Sequence, residues 1–207
     1  LRLGAELSGE SLPHDAAAAA KYLQAMGSEI EHMDQLLGEL LDYSKINLPN
    51  FSLRLNPIDP HTVLEDIYNR YLPVAASKGI ELDCLADAPS ETLSVDRFRI
   101  TQVMNNLMDN ALHYSAPKAK VTVTCQKQPD GICFRVMDEG PGVPEPLRQK
   151  VFDPLFRADP SRSRASGGLG LGLAIAKKIV ELHGGRIYCE ARHGRTIFAF
   201  CIPSRPS

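Results

Sequence analysis

Three groups of residues carry chemistry that a packed core does not need. In DRFRITQVMNNLMDNALHYS (96–115), Asn106, Asn110 and His113 recur four and three residues apart and so share one stripe of a helix. Asparagine is a poor helix former, about half a kcal/mol or more worse than alanine, so two aligned in mid-helix need a reason. An amide oxygen is a neutral hard donor, suited to Mg²⁺ that already carries phosphate oxygens. The plainer alternative is two asparagines satisfied at a domain seam. In DEGPGVP (138–144), Asp138 ends a strand and can accept from an exocyclic amine, while Gly140 and Gly142 let a flat ring approach the backbone. Taken alone, it is also an ordinary turn. In SGGLGLGL (166–173), glycines open a helix, where free N–H groups and the helix dipole favour phosphate. That loop lacks the Lys-Ser/Thr of a Walker loop and does not follow a strand as a dinucleotide fingerprint would. A different nucleotide fold is required.

The elements that must position these groups follow from periodicity. Asp15 to about Asn47 reads as one helix, with Asp15 as N-cap and Pro49 past its end. Its Leu23, Met26, Ile30, Met33, Leu37 and Leu40 alternate three and four apart, a heptad seam broadened by Leu36 and Leu41. Such a seam packs either on the chain's own core or on a second copy. Its length and its place at one edge of the chain, after the short helical LRLGAEL and a turn-like SGESLPHD, favour a hairpin that pairs into a dimeric four-helix bundle. Beyond Pro49, FSLRLNPID and GIELDCLA alternate like strands around a helix from Pro60 to Ser77, and a second helix runs from Asp96 to Tyr114. KVTVTCQK and GICFRVMDEG form a hairpin about Pro129-Asp130-Gly131; LGLAIAKKIVELHGG is a helix; RIYCE and RTIFAFCI are closing strands. The expected class is α+β, a mixed sheet faced by helices, in two units spanning 1–48 and 49–207.

Charge and composition exclude other roles. The 23 Lys+Arg nearly balance 25 Asp+Glu, so no global field recruits nucleic acid. No apolar run reaches the roughly 20 residues that cross a bilayer. Five scattered cysteines without metal spacing read as buried, reduced thiols in the cytosol.

Taken in this order, the segments resemble the catalytic domain of sensor histidine kinases, whose Bergerat-type α/β sandwich is shared with gyrase, mismatch-repair and chaperone ATPases. NLMDNALHYS is similar to its N box, DEGPGVP to the first glycine box, FDPLFR to the F box, and GGLGLGLAIAKKIVELHGG to the second glycine box with its helix. The resemblance covers Asn50 to Pro203. EIEHMDQLLGELLDYSKI resembles the second helix of the dimerisation and phosphotransfer hairpin. The resemblance implies ATP and Mg²⁺ as cofactors, with Asn110 on the metal and Asn106 nearby as the catalytic pair. Asp138 would read the adenine amine, in a base pocket shaped by Gly140, Gly142 and Val143. Gly168, Gly170 and Gly172 would form a mobile lid over the phosphates, with Phe152 and Phe156 packing its hinge, and Arg157, Leu169, Leu171 and Leu173 would also contact the nucleotide. His113 and Tyr114 would flank the phosphates, and Thr196 would border the nucleotide. Implied partners are a second copy and the receiver domain of a response regulator, with a sensor segment upstream and a cytosolic location.

Three departures qualify this. His113 stands where the family carries Lys or Arg, and an unperturbed imidazole is mostly neutral at pH 7. The third glycine motif shrinks to HGRTIF. None of the six histidines, at positions 14, 32, 61, 113, 183 and 193, sits in an HExxTPL-like acceptor box, so the acceptor is expected upstream of Leu1, within about three helical turns. Two competing functions remain: an ATPase of the same fold, or a silent scaffold that binds a response regulator. In the ATPases an acidic residue one turn before the metal Asn activates water; here that position is Asn106, which is no base.

Overall fold

A computed structural model describes residues 16–87, 92–129, 131–157 and 169–204. Helix α1 (Ala16–Ile46) is followed by strand β1 (Asn56–Ile58), helix α2 (Pro60–Ser77), strands β2 (Glu81–Asp87) and β3 (Leu93–Val95), and helix α3 (Arg97–Tyr114). Strands β4 (Lys120–Gln128) and β5 (Gly131–Asp138), two short 3-10 turns at Glu145–Leu147 and Lys150–Phe152, helix α4 (Gly172–Leu182) and strands β6 (Arg186–Arg192) and β7 (Arg195–Ile202) complete the order.

Local chemistry sets the helix starts. Asp59 caps α2 by accepting from the His61 amide at 2.9 Å, with Pro60 at the first turn. Asp96 caps α3 and does more than cap: it accepts from the amides of Arg99 (3.2 Å) and Arg54 (3.0 Å), while its own N–H donates to His183 Nε2 at 3.0 Å. His183 Nδ1 lies 2.8 Å from the Ile179 carbonyl. The ring is therefore the neutral Nδ1–H form, and burial pushes its pKa down. It ties the end of α4 to the start of α3.

The main sheet has the order β2-β4-β5-β7-β6, with β2 parallel to β4 and the other pairs antiparallel. Leu82, Val121, Val123, Ile132, Phe134, Val136, Phe198 and Phe200 are buried on one face, in one core with Ile67, Met104, Leu107, Met108, Ile175 and Ile179 of the helices. Phe134 and Phe200, cross-strand partners, stack at 5.0 Å. Each such side chain contributes roughly 1.5–3 kcal/mol through burial.

Two expectations need revision. FSLRL is not a strand; only Asn56–Ile58 pairs, with the short β3 that the sequence reading lacked. Cys133 and Cys201, read as reduced thiols, face each other across β5 and β7 and are disulfide-bonded; Cys84, Cys125 and Cys189 are free. Where 1–48 meets 49–207, the end of α1 joins the core of the rest. Ile46 is 1% exposed, and it and Tyr43 pack with the core of the second unit. The earlier part of α1 stands clear of that core, with Leu23, Ile30 and Leu37 all more than half exposed. His14 and Asp15 lie outside the described residues. Among those described, no helix is long and apolar enough to cross a membrane.

Candidate functional site

Between α3, the end of β5, the F-box turns and the start of α4 lies a cavity of about 660 Å³, a size suited to a nucleotide. The α3 stripe supplies Asn106, Asn110, His113 and Tyr114; β5 supplies Asp138; Gly142 and Val143 follow it; Phe156 and Arg157 come from the F-box segment; Gly170, Gly172 and Leu173 open α4; Thr196 comes from β7. Thirteen positions singled out from sequence thus meet at one cavity although they are up to ninety residues apart.

Four others lie just behind it. Gly140 donates its N–H to Asp138 Oδ1 at 2.9 Å, and a Cβ there would sit 2.7 Å from that oxygen, so a side chain at this position would push the carboxylate from its place. Phe152 is buried, edge-on to Phe198 at 6.2 Å. Leu171 is buried and its carbonyl accepts from Ile175 at 2.8 Å, starting α4. Leu169 packs against the core. Gly168 lies outside the described residues.

Asp138 is 4% exposed. Burial pushes its carboxyl up to about 6, against the lowering effect of hydrogen bonds from Gly140 and the Thr196 side chain. It is thus a desolvated acceptor held in place at a strand end. Burial and the nearby Lys78 ammonium lower the pKa of His113, which is therefore neutral at pH 7. Lys78 Nζ donates to the Leu112 carbonyl at 3.3 Å, so the cation near this end of α3 comes from the end of α2 instead. The Tyr71 hydroxyl donates to Asp109 Oδ1 at 2.8 Å and braces α3 from the same side.

The glycine segment is held from two directions. Asn106 Nδ2 donates to the Gly172 carbonyl at 2.8 Å. Leu155 N–H donates to the Gly170 carbonyl at 3.1 Å, and Gly170 (φ +74°) backs so closely on Phe156 that a Cβ would lie 2.9 Å from its carbonyl oxygen. The F box therefore braces the start of α4. Among the described residues no group of three His, Cys, Asp or Glu could hold a cation alone. The Asn110 amide in the cavity fits a Mg²⁺ that arrives with phosphate ligands and keeps several waters.

Sequence reasoning missed several wall residues. Phe198 carries a core-strand pattern and Leu147 and Val151 lie in short turns, so nothing local marked them. Gln35 and Glu39 are less expected: they line the same cavity from α1, a helix read only for its heptad seam. A second concavity of about 800 Å³ lies on the opposite, helix-free face of the sheet, lined by Arg135, Tyr188 and Arg195 among others, and contains none of the α3 or glycine-segment residues.

A family model described as histidine kinase-, DNA gyrase B- and HSP90-like ATPase matches residues 95–206. Sensor histidine kinase WalK of Bacillus subtilis (strain 168) is 33% identical over 190 residues, covering 89% of this chain and 31% of the relative. Sensor protein VanS of Enterococcus faecium is 30% identical over 188 residues, covering 90% and 48%. The chain spans about a third to a half of the length of these curated relatives. Among solved structures, the nucleotide-free catalytic domain of histidine kinase ThkA aligns with a TM-score of 0.66 at 28% identity, covering 74% of this chain and 97% of that one. The structure of ThkA in complex with response regulator protein TrrA aligns with a TM-score of 0.78 at 25% identity, covering 98% and 56%. By the span of the family match and by the kinship of its relatives, the chain belongs to the histidine kinase-, DNA gyrase B- and HSP90-like ATPases and groups among them with the sensor histidine kinases.

Proposed function

We propose that this chain binds Mg²⁺-ATP and transfers its γ-phosphate to a histidine of a dimerisation hairpin, for relay to a response regulator. The observation that carries the reading is the Asn106–Asn110–His113 stripe meeting Asp138 and the glycine start of α4 around one cavity. Asp138 takes the exocyclic amine of adenine, and Val143 and Phe198 flank the base. At the other end the N-terminal turn of α4 receives the phosphates through free N–H groups. Asn110 would hold Mg²⁺, which when bound would neutralise charge on the phosphate oxygens. Positioning supplies most of the catalysis in such transfers.

Transfer is favoured over hydrolysis because Asn106 occupies the position of the ATPases' general base and its amide is engaged with Gly172. Among the described histidines only His113 lines the cavity, which supports an acceptor supplied by a separate hairpin. The WalK, VanS and ThkA likeness supports a histidine acceptor, and the ThkA–TrrA structure supports a receiver domain as partner. The exposed α1 seam supports a second copy as the other partner.

The test is to incubate the chain with γ-labelled ATP, Mg²⁺ and a separate hairpin carrying an acceptor histidine box. The expected result is acid-labile label on the hairpin, rising with its concentration and absent with Asn110→Ala. Nucleotide binding without any transfer would favour the scaffold reading, and steady phosphate release without labelled hairpin would favour the ATPase.

A further inference from the structure

Helix α1 is held against the nucleotide-binding unit by a specific contact. Asp42 accepts from Arg99 Nη1 through both carboxylate oxygens, at 2.8 and 3.0 Å, and also from the Gln102 amide. The pair is sheltered, with the Arg99 side chain 13% exposed, and the guanidinium also lies over the Phe51 ring at 5.2 Å. Arg99 and Gln102 continue the stripe of Asn106, Asn110 and His113 backwards along α3 by three and four residues. Going back along α1 from Asp42 by three and seven residues reaches Glu39 and Gln35 on the same face. These two line the nucleotide cavity, with Gln35 Nε2 donating to Glu39 Oε1 at 3.2 Å. Helix α1 packs on α4, whose first residues Gly172 and Leu173 line the same cavity as Gln35 and Glu39.

We propose that α1 forms a wall of the phosphate end of this cavity, and that Glu39 there is a specificity-determining residue that selects the Mg²⁺-loaded triphosphate over the metal-free one. The inference rests on the nucleotide reading above. A carboxylate facing this end repels the three to four negative charges of free ATP and is far less opposed to the complex with Mg²⁺, whose charge offsets two of them. Asp42 on Arg99 and Gln102 is the positioning contact that keeps Glu39 there. Glu39 need not touch the metal; its effect is through charge at the mouth of a site that is partly screened by solvent. Occupancy by metal-free nucleotide and docking of α1 therefore oppose one another.

The experiment measures ATP affinity by calorimetry at low salt, with and without Mg²⁺, in the parent, Glu39→Gln, Glu39→Lys and Asp42→Asn chains, with adenosine as a ligand that has no phosphates. Metal-free ATP should bind about three- to tenfold more tightly to Glu39→Gln, and more tightly still to Glu39→Lys, by the screened repulsion of one carboxylate. The gain from Mg²⁺ should shrink in the same order, while adenosine binds all four chains alike. Asp42→Asn, which loosens the positioning contact, should move metal-free ATP affinity in the same direction as Glu39→Gln. A parent that binds no ATP in either condition would overturn the nucleotide reading and this inference with it. A parent that binds Mg²⁺-ATP with Glu39→Gln and Glu39→Lys indistinguishable from it, metal-free, overturns this inference alone. So does an adenosine affinity that shifts along with ATP, because pocket shape rather than charge would then be at work.

Discussion

The Asn106 side chain donates to the main-chain carbonyl of Gly172 at 2.8 Å, joining the middle of α3 to the first residue of α4 across a sequence gap of 66 residues. This bond makes Asn106 a brace for the glycine segment as well as a wall of the cavity. Asn106→Ala should cost about 0.5–1.5 kcal/mol, the net worth of one neutral hydrogen bond, and weaken ATP binding roughly two- to tenfold. Asn106→Asp should bind worse, because it sets a carboxylate against the carbonyl it now serves, while an acid at the ATPases' general-base position should raise phosphate release. Calorimetry with ATP and a phosphate-release assay check both; tighter binding in Asn106→Asp would contradict the brace.

Asp138 sets function against stability. Its folded pKa of about 6 lies above the ordinary carboxylate value of 3.8, so between those values the folded state holds a proton that the unfolded chain has lost. Stability from this group is therefore full below about pH 4 and declines as pH rises through about 6. At pH 7 the buried charge costs on the order of 2–3 kcal/mol. Asp138→Asn should accordingly raise the thermal midpoint at pH 7.5, with little change at pH 4, while ATP binds about five- to tenfold more weakly for want of a charged acceptor. In the parent, ATP affinity should climb as pH passes upward through about 6, and that climb should vanish in Asp138→Asn. Scanning calorimetry and binding titrations across pH 5–8 decide the matter.

The Cys133–Cys201 bond closes a loop of 68 residues, and its removal should lower stability by up to about 4 kcal/mol in the chain-entropy view. Alkylation of the denatured, non-reduced chain should label three of the five cysteines, and all five after reduction. The Cys133→Ala/Cys201→Ala double variant should melt lower than the oxidised parent and no longer respond to reductant. Five labelled thiols without reduction would show that the bond does not form under the conditions tested.

The α1 seam leaves Leu23, Ile30, Leu37 and Leu40 more than half exposed, which water penalises unless a partner covers them. Sedimentation should show a concentration-dependent dimer. Glu substituted at both Ile30 and Leu37 should give monomers that still bind ATP, since neither residue borders the cavity. A parent that stays monomeric at every accessible concentration would remove the second copy from the list of partners.

Local periodicity and capping were enough, in the sequence alone, to place α1, α2 and α3 within a residue or two, because Asp59, Pro60 and Asp96 act on the backbone next to them. They were also enough to single out three of the cavity's polar residues, since Asn106 and Asn110 in mid-helix and Asp138 before two glycines are unusual choices for an element that only packs. Strand pairing was less legible: FSLRL has the alternation of a strand but no neighbour with which to share its hydrogen bonds, and only the fold decides which alternating runs find partners. The Cys133–Cys201 bond likewise depends on the register of β5 and β7, which sequence spacing does not express. Tertiary structure alone decided that the His113 pKa is lowered further, because its burial and the approach of Lys78 come from packing α2 on α3. It alone placed Gln35 and Glu39 at the cavity, because helix α1 offers several faces, and the grip of Asp42 on Arg99 together with the burial of Ile46 selects the one that turns toward it.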